Sequence, residues 1–172
     1  AIFRRILVQS WQVVNQQLPG ISFYSLTTFS GDIVVKERIA LVTGAGRGIG
    51  RAISLGLAQD GVDLVLTART ESELVEVAEL VRQEGRQALC VAADLTEAGA
   101  VTQVMEKASA LGAVNILVNN AGIGSSHAPQ PLLNFDDDYW HLTMALNVTA
   151  PYLLTKACLP TMMADSWGRI IN

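Results

Sequence analysis

The sequence predicts an α/β fold, a doubly wound parallel sheet covered by helices on both faces. Three observations lead to it. Short continuous apolar runs, suited to burial on both faces, alternate with longer amphipathic runs from Arg38 onward. Gly61 and Gly85 stand where two of the helical runs should end. The first apolar run breaks into a glycine-rich turn, Thr43-Gly44-Ala45-Gly46-Arg47-Gly48-Ile49-Gly50, that opens a helix. Alternation of this kind requires crossover connections and hence parallel strands.

Each element follows from its own residues. Arg38 to Val42 reads as the first strand. Gly48 to Asp60 reads as a helix with Ile49, Ile53, Leu57 and Ala58 facing inward. Val62 to Ala68 is the second strand, and Glu71 to Glu84 the second helix, with Leu74, Val77, Ala78 and Val81 as its stripe. Ala88 to Ala93 is the third strand. Thr96 to Leu111 is read as a helix capped by Thr96, with Val101, Val104, Met105 and Ala108 inward. Val114 to Val118 is the fourth strand, and a Gly/Ser/Pro-rich loop runs from Gly122 to about Pro131. Asp136 to Asp138 place negative charge where a helix dipole favours it. That helical stretch runs toward Ala164. Pro151 and Pro160 each remove a backbone donor from it, so a bend or break is expected. Gly168-Arg169-Ile170-Ile171-Asn172 opens a fifth strand.

Right-handed crossovers place strands two and three on one side of strand one and strand four on the other. A ligand then lies at the carboxyl ends of the strands, where the order reverses. The glycine turn, Arg69, Asp94 and Asn119 to Gly122 all fall at those ends.

The totals exclude several classes. The chain has 172 residues, half of them hydrophobic and 16% charged, which fits one domain with a sizeable core. A net charge of −4 argues against a nucleic-acid partner. No apolar run is long enough to cross a bilayer, so a soluble, cytoplasmic protein is expected. Cys90 and Cys158 read as reduced core residues rather than a bridge. His127 and His141 are isolated, and no Cys/His spacing suits a metal.

Residues 1–35 differ from the rest. Phe3, Leu7, Trp11, Val14 and Leu18 recur at helical spacing, Pro19-Gly20 ends the run, and Arg4 and Arg5 are the only charges before Asp32. This composition suits either an organelle transit peptide or an extension without a targeting role. It is kept outside the domain of residues 36–172.

Function is read from the turn outward. Glycines 44, 46, 48 and 50 let another molecule approach without a Cβ in the way, and the following helix offers free N–H groups to an anion. A strand, a glycine turn and a helix form the first half of a dinucleotide-binding unit. The expected architecture is therefore a three-layer Rossmann-type sheet, C-terminally incomplete because the residues end inside the fifth strand. The common dehydrogenase loop has G-x-G-x-x-G and an acidic residue about 20 positions on. Here the spacing is Gly44-x-x-x-Gly48-x-Gly50, and the second strand ends in Ala68-Arg69 with no carboxylate.

That departure resembles the cofactor motif of the short-chain dehydrogenase/reductase family, within which a 3-oxoacyl-carrier-protein reductase-like member and one active on small polyols or ketones are both expected readings. Asp94-Leu95-Thr96 after the third strand, Asn119-Asn120-Ala121-Gly122 after the fourth, Trp140 with Asn147 seven residues later, and the closing Gly168 to Asn172 strand follow in the family's order. The likeness covers about Glu37 to Asn172. It implies that Gly44, Gly46, Gly48, Ile49 and Gly50 form the pyrophosphate turn. Asp94 would accept from the adenine amino group with Leu95 packing nearby, unless it is only a helix-capping aspartate. Asn120, Ala121 and Gly122 would line the adenosine ribose, and Asn119 would brace the sheet. Asn147 would hold a water in the proton relay.

The cofactor expected is NADP. Arg47 and Arg69 come from two places the fold brings together, and guanidinium groups bind a 2′-phosphate through forked, charge-assisted hydrogen bonds. In the family a Ser follows the G-R-I-x-N strand and a Tyr-x-x-x-Lys pair lies on the next helix. Tyr24, Tyr139 and Tyr152 are the only tyrosines, and none is read as the family's Tyr-x-x-x-Lys. The expectation is an NADP(H)-dependent carbonyl reductase or alcohol dehydrogenase acting on a small-molecule substrate. It would be homo-oligomeric at full length and inactive as these residues alone. The alternative is a non-catalytic nucleotide-binding or interaction module. Sequence beyond Asn172 separates the two.

Overall fold

The computed structural model describes residues 38–124 and 131–172. The leader expected over 1–35, His127 and most of the Gly/Ser/Pro loop lie outside the described residues. Strand β1 (Ile39–Thr43) leads through the glycine turn to helix α1 (Gly48–Gln59). Then come β2 (Asp63–Ala68), α2 (Glu71–Gln83), β3 (Ala88–Ala92), α3 (Ala100–Ala108) and β4 (Ile116–Val118). A 3-10 turn (Leu132–Asn134) precedes α4 (Asp137–Met144), a π-helical turn (Ala145–Thr149), α5 (Ala150–Ala164) and β5 (Arg169–Ile171).

The sheet order is β3-β2-β1-β4-β5 and every pairing is parallel. Leu41 pairs with Val65 on one side and Leu117 on the other, so β1 is central, as expected. Alternate residues of each strand feed opposite faces. Ala40, Val42, Leu64 and Leu66 pack under Leu74, Val77 and Val81 of α2. Leu41, Val65 and Leu117 pack with Val104 of α3 and Leu154 and Cys158 of α5. A buried cluster on each side of one sheet makes the fold doubly wound and explains why the strands read as largely apolar runs.

Three expectations are corrected. Ile49 does not face inward: it is 73% exposed on the first turn of α1. Gly50 takes the buried position instead, because only a residue without a Cβ fits under the turn. The helix after β3 starts at Ala100 rather than Thr96, behind Gly99 at φ +82°. Thr96 is held upstream by Asp94, whose Oδ1 accepts from both its N–H (3.0 Å) and its hydroxyl (2.7 Å). The local turn competes with the helix and wins. The stretch toward Ala164 is interrupted, as expected, but ahead of Pro151 rather than at it. The π turn absorbs the break, and Pro151 follows it directly in the first turn of α5. Pro160 lies inside α5. The Asp136 side chain caps α4 by accepting from Asp138 and Tyr139 N–H groups.

Asp63 opens β2 at the end of the sheet away from the glycine turn. It is 2% exposed and accepts from Arg86 Nε at 2.9 Å and Gln87 N–H at 2.8 Å. Arg86 Nη2 lies 2.8 Å from the same oxygen. Asp63→Ala should therefore lower unfolding free energy by about 3 kcal/mol in chemical denaturation, since it strands a partly buried guanidinium. Nucleotide affinity should be unchanged.

Candidate functional site

The site forms where the strand order reverses, between the carboxyl ends of β1 and β4. Gly44 and Gly48 have φ of +63° and +54°. The turn between them is built around absent side chains. A Cβ on Gly44 would lie 2.9 Å from Asn120 Nδ2 and 3.2 Å from Ala121 Cα. A Cβ on Gly50 would collide with the Gly44 carbonyl and lie 2.6 Å from Asn120 Nδ2. One on Gly46 would lie 2.8 Å from both Cβ and Oε2 of Glu73.

Hydrogen bonds hold the bend in place. Asn120 Nδ2 donates to the carbonyls of Thr43 (2.9 Å) and Gly44 (3.3 Å). The Thr43 hydroxyl donates to Val118 O and accepts from Ala121 N–H at 2.9 Å. Ala45 N–H reaches Thr67 O in β2 at 3.2 Å. The bend is thus tied to both neighbours of β1. Arg47 at the N-cap of α1 offers no side-chain cap, and no acidic residue stands in the first turn. The start of α1 is left as an electropositive end with donors to spare.

A cleft of about 350 Å³ opens against this bend. Gly44, Gly46, Arg47, Arg69, Asp94, Leu95, Asn120, Ala121 and Gly122, all expected at the site, line it together. Arg47 and Arg69 do converge on one cavity. Gly48, Ile49 and Gly50 are not on its wall; they form the helix start beside it and the packing beneath it. Thr96's hydroxyl and N–H, burial opposing and Arg69's charge helping, hold the Asp94 carboxyl below its ordinary range. Asp94 is thus an ionised acceptor at neutral pH.

Asn119 spans the sheet end, its N–H on Ile171 O and its Nδ2 on Asn172 Oδ1, both at 2.8 Å. Asn147, on the π turn, accepts from Ile123 N–H at 3.0 Å and donates to Ile123 O at 2.7 Å. The Tyr139 hydroxyl donates to Gly124 O at 2.7 Å. These two side chains fix the backbone leaving β4. Asn147 lines a second, more open cleft of about 670 Å³ with Ala121, Gly122, Tyr152, Thr155 and Asn172. Tyr152 does stand four residues before a lysine, Lys156, but on α5, ahead of β5 rather than after it, and both are exposed.

Sequence reasoning missed Glu73 in the first cleft, and Thr43 as the pin of the turn. Thr43 lay within the motif. Glu73 is brought in by helix packing, for which no spacing rule exists. Among the described residues no group of His, Cys, Asp and Glu could hold a metal, and no helix is long and apolar enough to cross a membrane. Both cysteines are free thiols; burial raises each, Cys158 to about 11.

The model of the family described as short chain dehydrogenase matches residues 38–172. The chain belongs to the short-chain dehydrogenase family. An uncharacterised oxidoreductase of Mycobacterium tuberculosis is 40% identical over 138 residues, 79% of this chain and 51% of that protein. The 3-oxoacyl-[acyl-carrier-protein] reductase of Vibrio harveyi is 37% identical over 139 residues, 80% of this chain and 54% of the relative. The crystal structure of a metagenomic short-chain oxidoreductase in complex with NADP matches with a TM-score of 0.73 and 38% identity, covering 78% of this chain and 61% of that one. The chain spans about half the length of the curated relatives it matches.

Replacing Thr96 with Val should let the Asp94 carboxyl titrate higher, back toward the ordinary carboxylate range, in a carbon-detected NMR titration. The hydrogen bonds favour the charged form, so their support for the folded state is present above the ordinary carboxylate range. It is lost as pH falls through the depressed value. An unmoved titration would contradict the assigned cause.

Proposed function

We propose that the protein binds NADP(H) across the first cleft and serves a carbonyl reductase or alcohol dehydrogenase reaction. The observation that carries this is the convergence of Arg47 and Arg69 on the wall of a cleft whose floor is a side-chain-free turn. The fit is physical. A pyrophosphate needs backbone donors at close range, which the glycine turn and the α1 start supply. A 2′-phosphate needs guanidinium groups, and no carboxylate ends β2. Support for the choice of cofactor also comes from the NADP in the matched metagenomic oxidoreductase.

In this reading Gly44, Gly46, Gly48, Ile49 and Gly50 bound the pyrophosphate, with Gly50 acting from beneath. Asp94 accepts from the adenine amino group, and Leu95 packs beside the ring. Asn120, Ala121 and Gly122 border the ribose. When bound, the cofactor supplies or accepts the hydride. Asn147 works through the chain: its amide fixes Ile123, which sets the wall between the two clefts. Pro151 has no N–H to offer the carbonyl of Asn147, four residues back, so that oxygen lacks the usual α-helical partner and can accept from a relay water. The substrate is a small carbonyl compound or the corresponding alcohol, taken on the side of the second cleft; a 3-oxoacyl group is the class suggested by the Vibrio harveyi relative.

Tyr152, Leu153, Leu159 and Met163 are exposed on α5, at 59%, 40%, 39% and 74%. A second copy covering this face would account for them, and free thiols suit a reducing, cytoplasmic setting.

Calorimetric titration should give NADPH at least about tenfold tighter binding than NADH, and Arg69→Asp should reverse the order, as expected for loss of one charge-assisted pair and gain of a repulsion. Equal affinities in the unmodified protein would remove the case for the arginines.

A further inference from the structure

Glu73 is an acidic residue in a cleft otherwise furnished for an anion. It sits in the first turn of α2, where a carboxylate favours the helix dipole, and that alone would explain its presence on the surface. Its placement asks for more. Its Cβ and Oε2 both lie 2.8 Å from where Gly46 would carry a Cβ, so the side chain lies against the bare backbone of the glycine turn. It lines the same cleft as Arg47 and Arg69. No hydrogen bond or ion pair joins it to another described residue, unlike Asp63, which is paired with Arg86. Gly46 has an ordinary backbone conformation, since it is not among the glycines with positive φ. The room its missing side chain leaves is filled by Glu73.

We infer that Glu73 is a specificity-determining residue that tempers the preference for a 2′-phosphate and keeps the site open to the unphosphorylated cofactor. This rests on the proposed nucleotide site. An ionised carboxylate only accepts hydrogen bonds. A ribose hydroxyl can donate to it; a phosphate cannot and is repelled. Arg47 and Arg69 act in the opposite sense. The ratio of the two affinities is therefore set by two cations and one anion on the same wall. Because Glu73 comes from α2 rather than from the end of β2, it leaves the strand-end position to Arg69.

The test uses the two adenosine halves, 2′,5′-ADP and 5′-AMP, which differ only in the 2′-phosphate. In calorimetric titration Glu73→Gln should tighten 2′,5′-ADP about tenfold, the scale of one charge removed several Å from a phosphate in a solvated cleft. It should change 5′-AMP by less than about threefold, or weaken it, and the gain should shrink in high salt. Glu73→Asp, which keeps the charge, should hold the ratio near that of the unmodified protein, and Glu73→Lys should move it further than Gln. An unchanged ratio in both the Gln and the Lys variants, with the unmodified protein binding both nucleotides, would overturn this inference and leave the proposed function standing. Failure of the unmodified protein to bind either nucleotide would overturn both.

Discussion

One junction supports the rest of the site: the Asn120 amide bridging the carbonyls of Thr43 and Gly44. It joins the end of β1 to the end of β4, the point where the strand order reverses. Without that tie, a turn with two left-handed glycines would have many conformations to choose from. With it, and with Thr43 Oγ1 holding Ala121, the turn is one rigid edge. A carbonyl left unpaired inside such a bend would cost more than a single hydrogen bond contributes, so the amide is there by necessity. The bare glycines and the asparagine are two halves of one device. The amide occupies the volume that side chains on Gly44 and Gly50 would need.

Around this edge the fold distributes charge by element. The start of α1 carries no acid, whereas α2 and α4 begin with Glu71 and Glu73 and with Asp137 and Asp138. The helix that faces the cleft end-on is thus left electropositive, and its neighbours are neutralised in the usual way. Arg69 lies between, close enough to help keep Asp94 ionised. The same wall therefore presents donors, two guanidinium groups and two carboxylates. Such a mixed wall suits a ligand with both anionic and hydrogen-bond-donating parts better than a simple anion.

Much of this was legible in the residues. Buried strands show as largely apolar runs because both faces are covered, as Leu41 and Leu66 at 0% exposure illustrate, and the polar residues within them, such as Thr67, are hydrogen-bonded. The glycine turn was legible because conformational need restricts residue choice. Legibility failed where one local preference met another. Thr96 resembles a helix cap, yet its hydroxyl and N–H already satisfy Asp94, so the helix waits for Gly99. Ile49 looks like a core residue by spacing, but it belongs to the first turn of α1 and faces solvent, while Gly50 packs beneath the bend. Glu73 was invisible because its place in the cleft depends on how α2 packs against the turn. The π turn follows from Pro151 in kind but not in place: a proline tells which carbonyl loses its partner, not where the helix will relax.

The account stands on the turn being both bare and braced, and Gly50 tests that most directly, because its added methyl would strike the Gly44 carbonyl and the bracing amide together. The measurement is NADPH affinity of Gly50→Ala by calorimetry, with cooperative unfolding checked alongside. The account predicts a fold that survives and an affinity weakened about thirtyfold or more, matching about 2 kcal/mol of overpacking placed on the bend. A folded Gly50→Ala protein that binds NADPH as tightly as the unmodified one would contradict it.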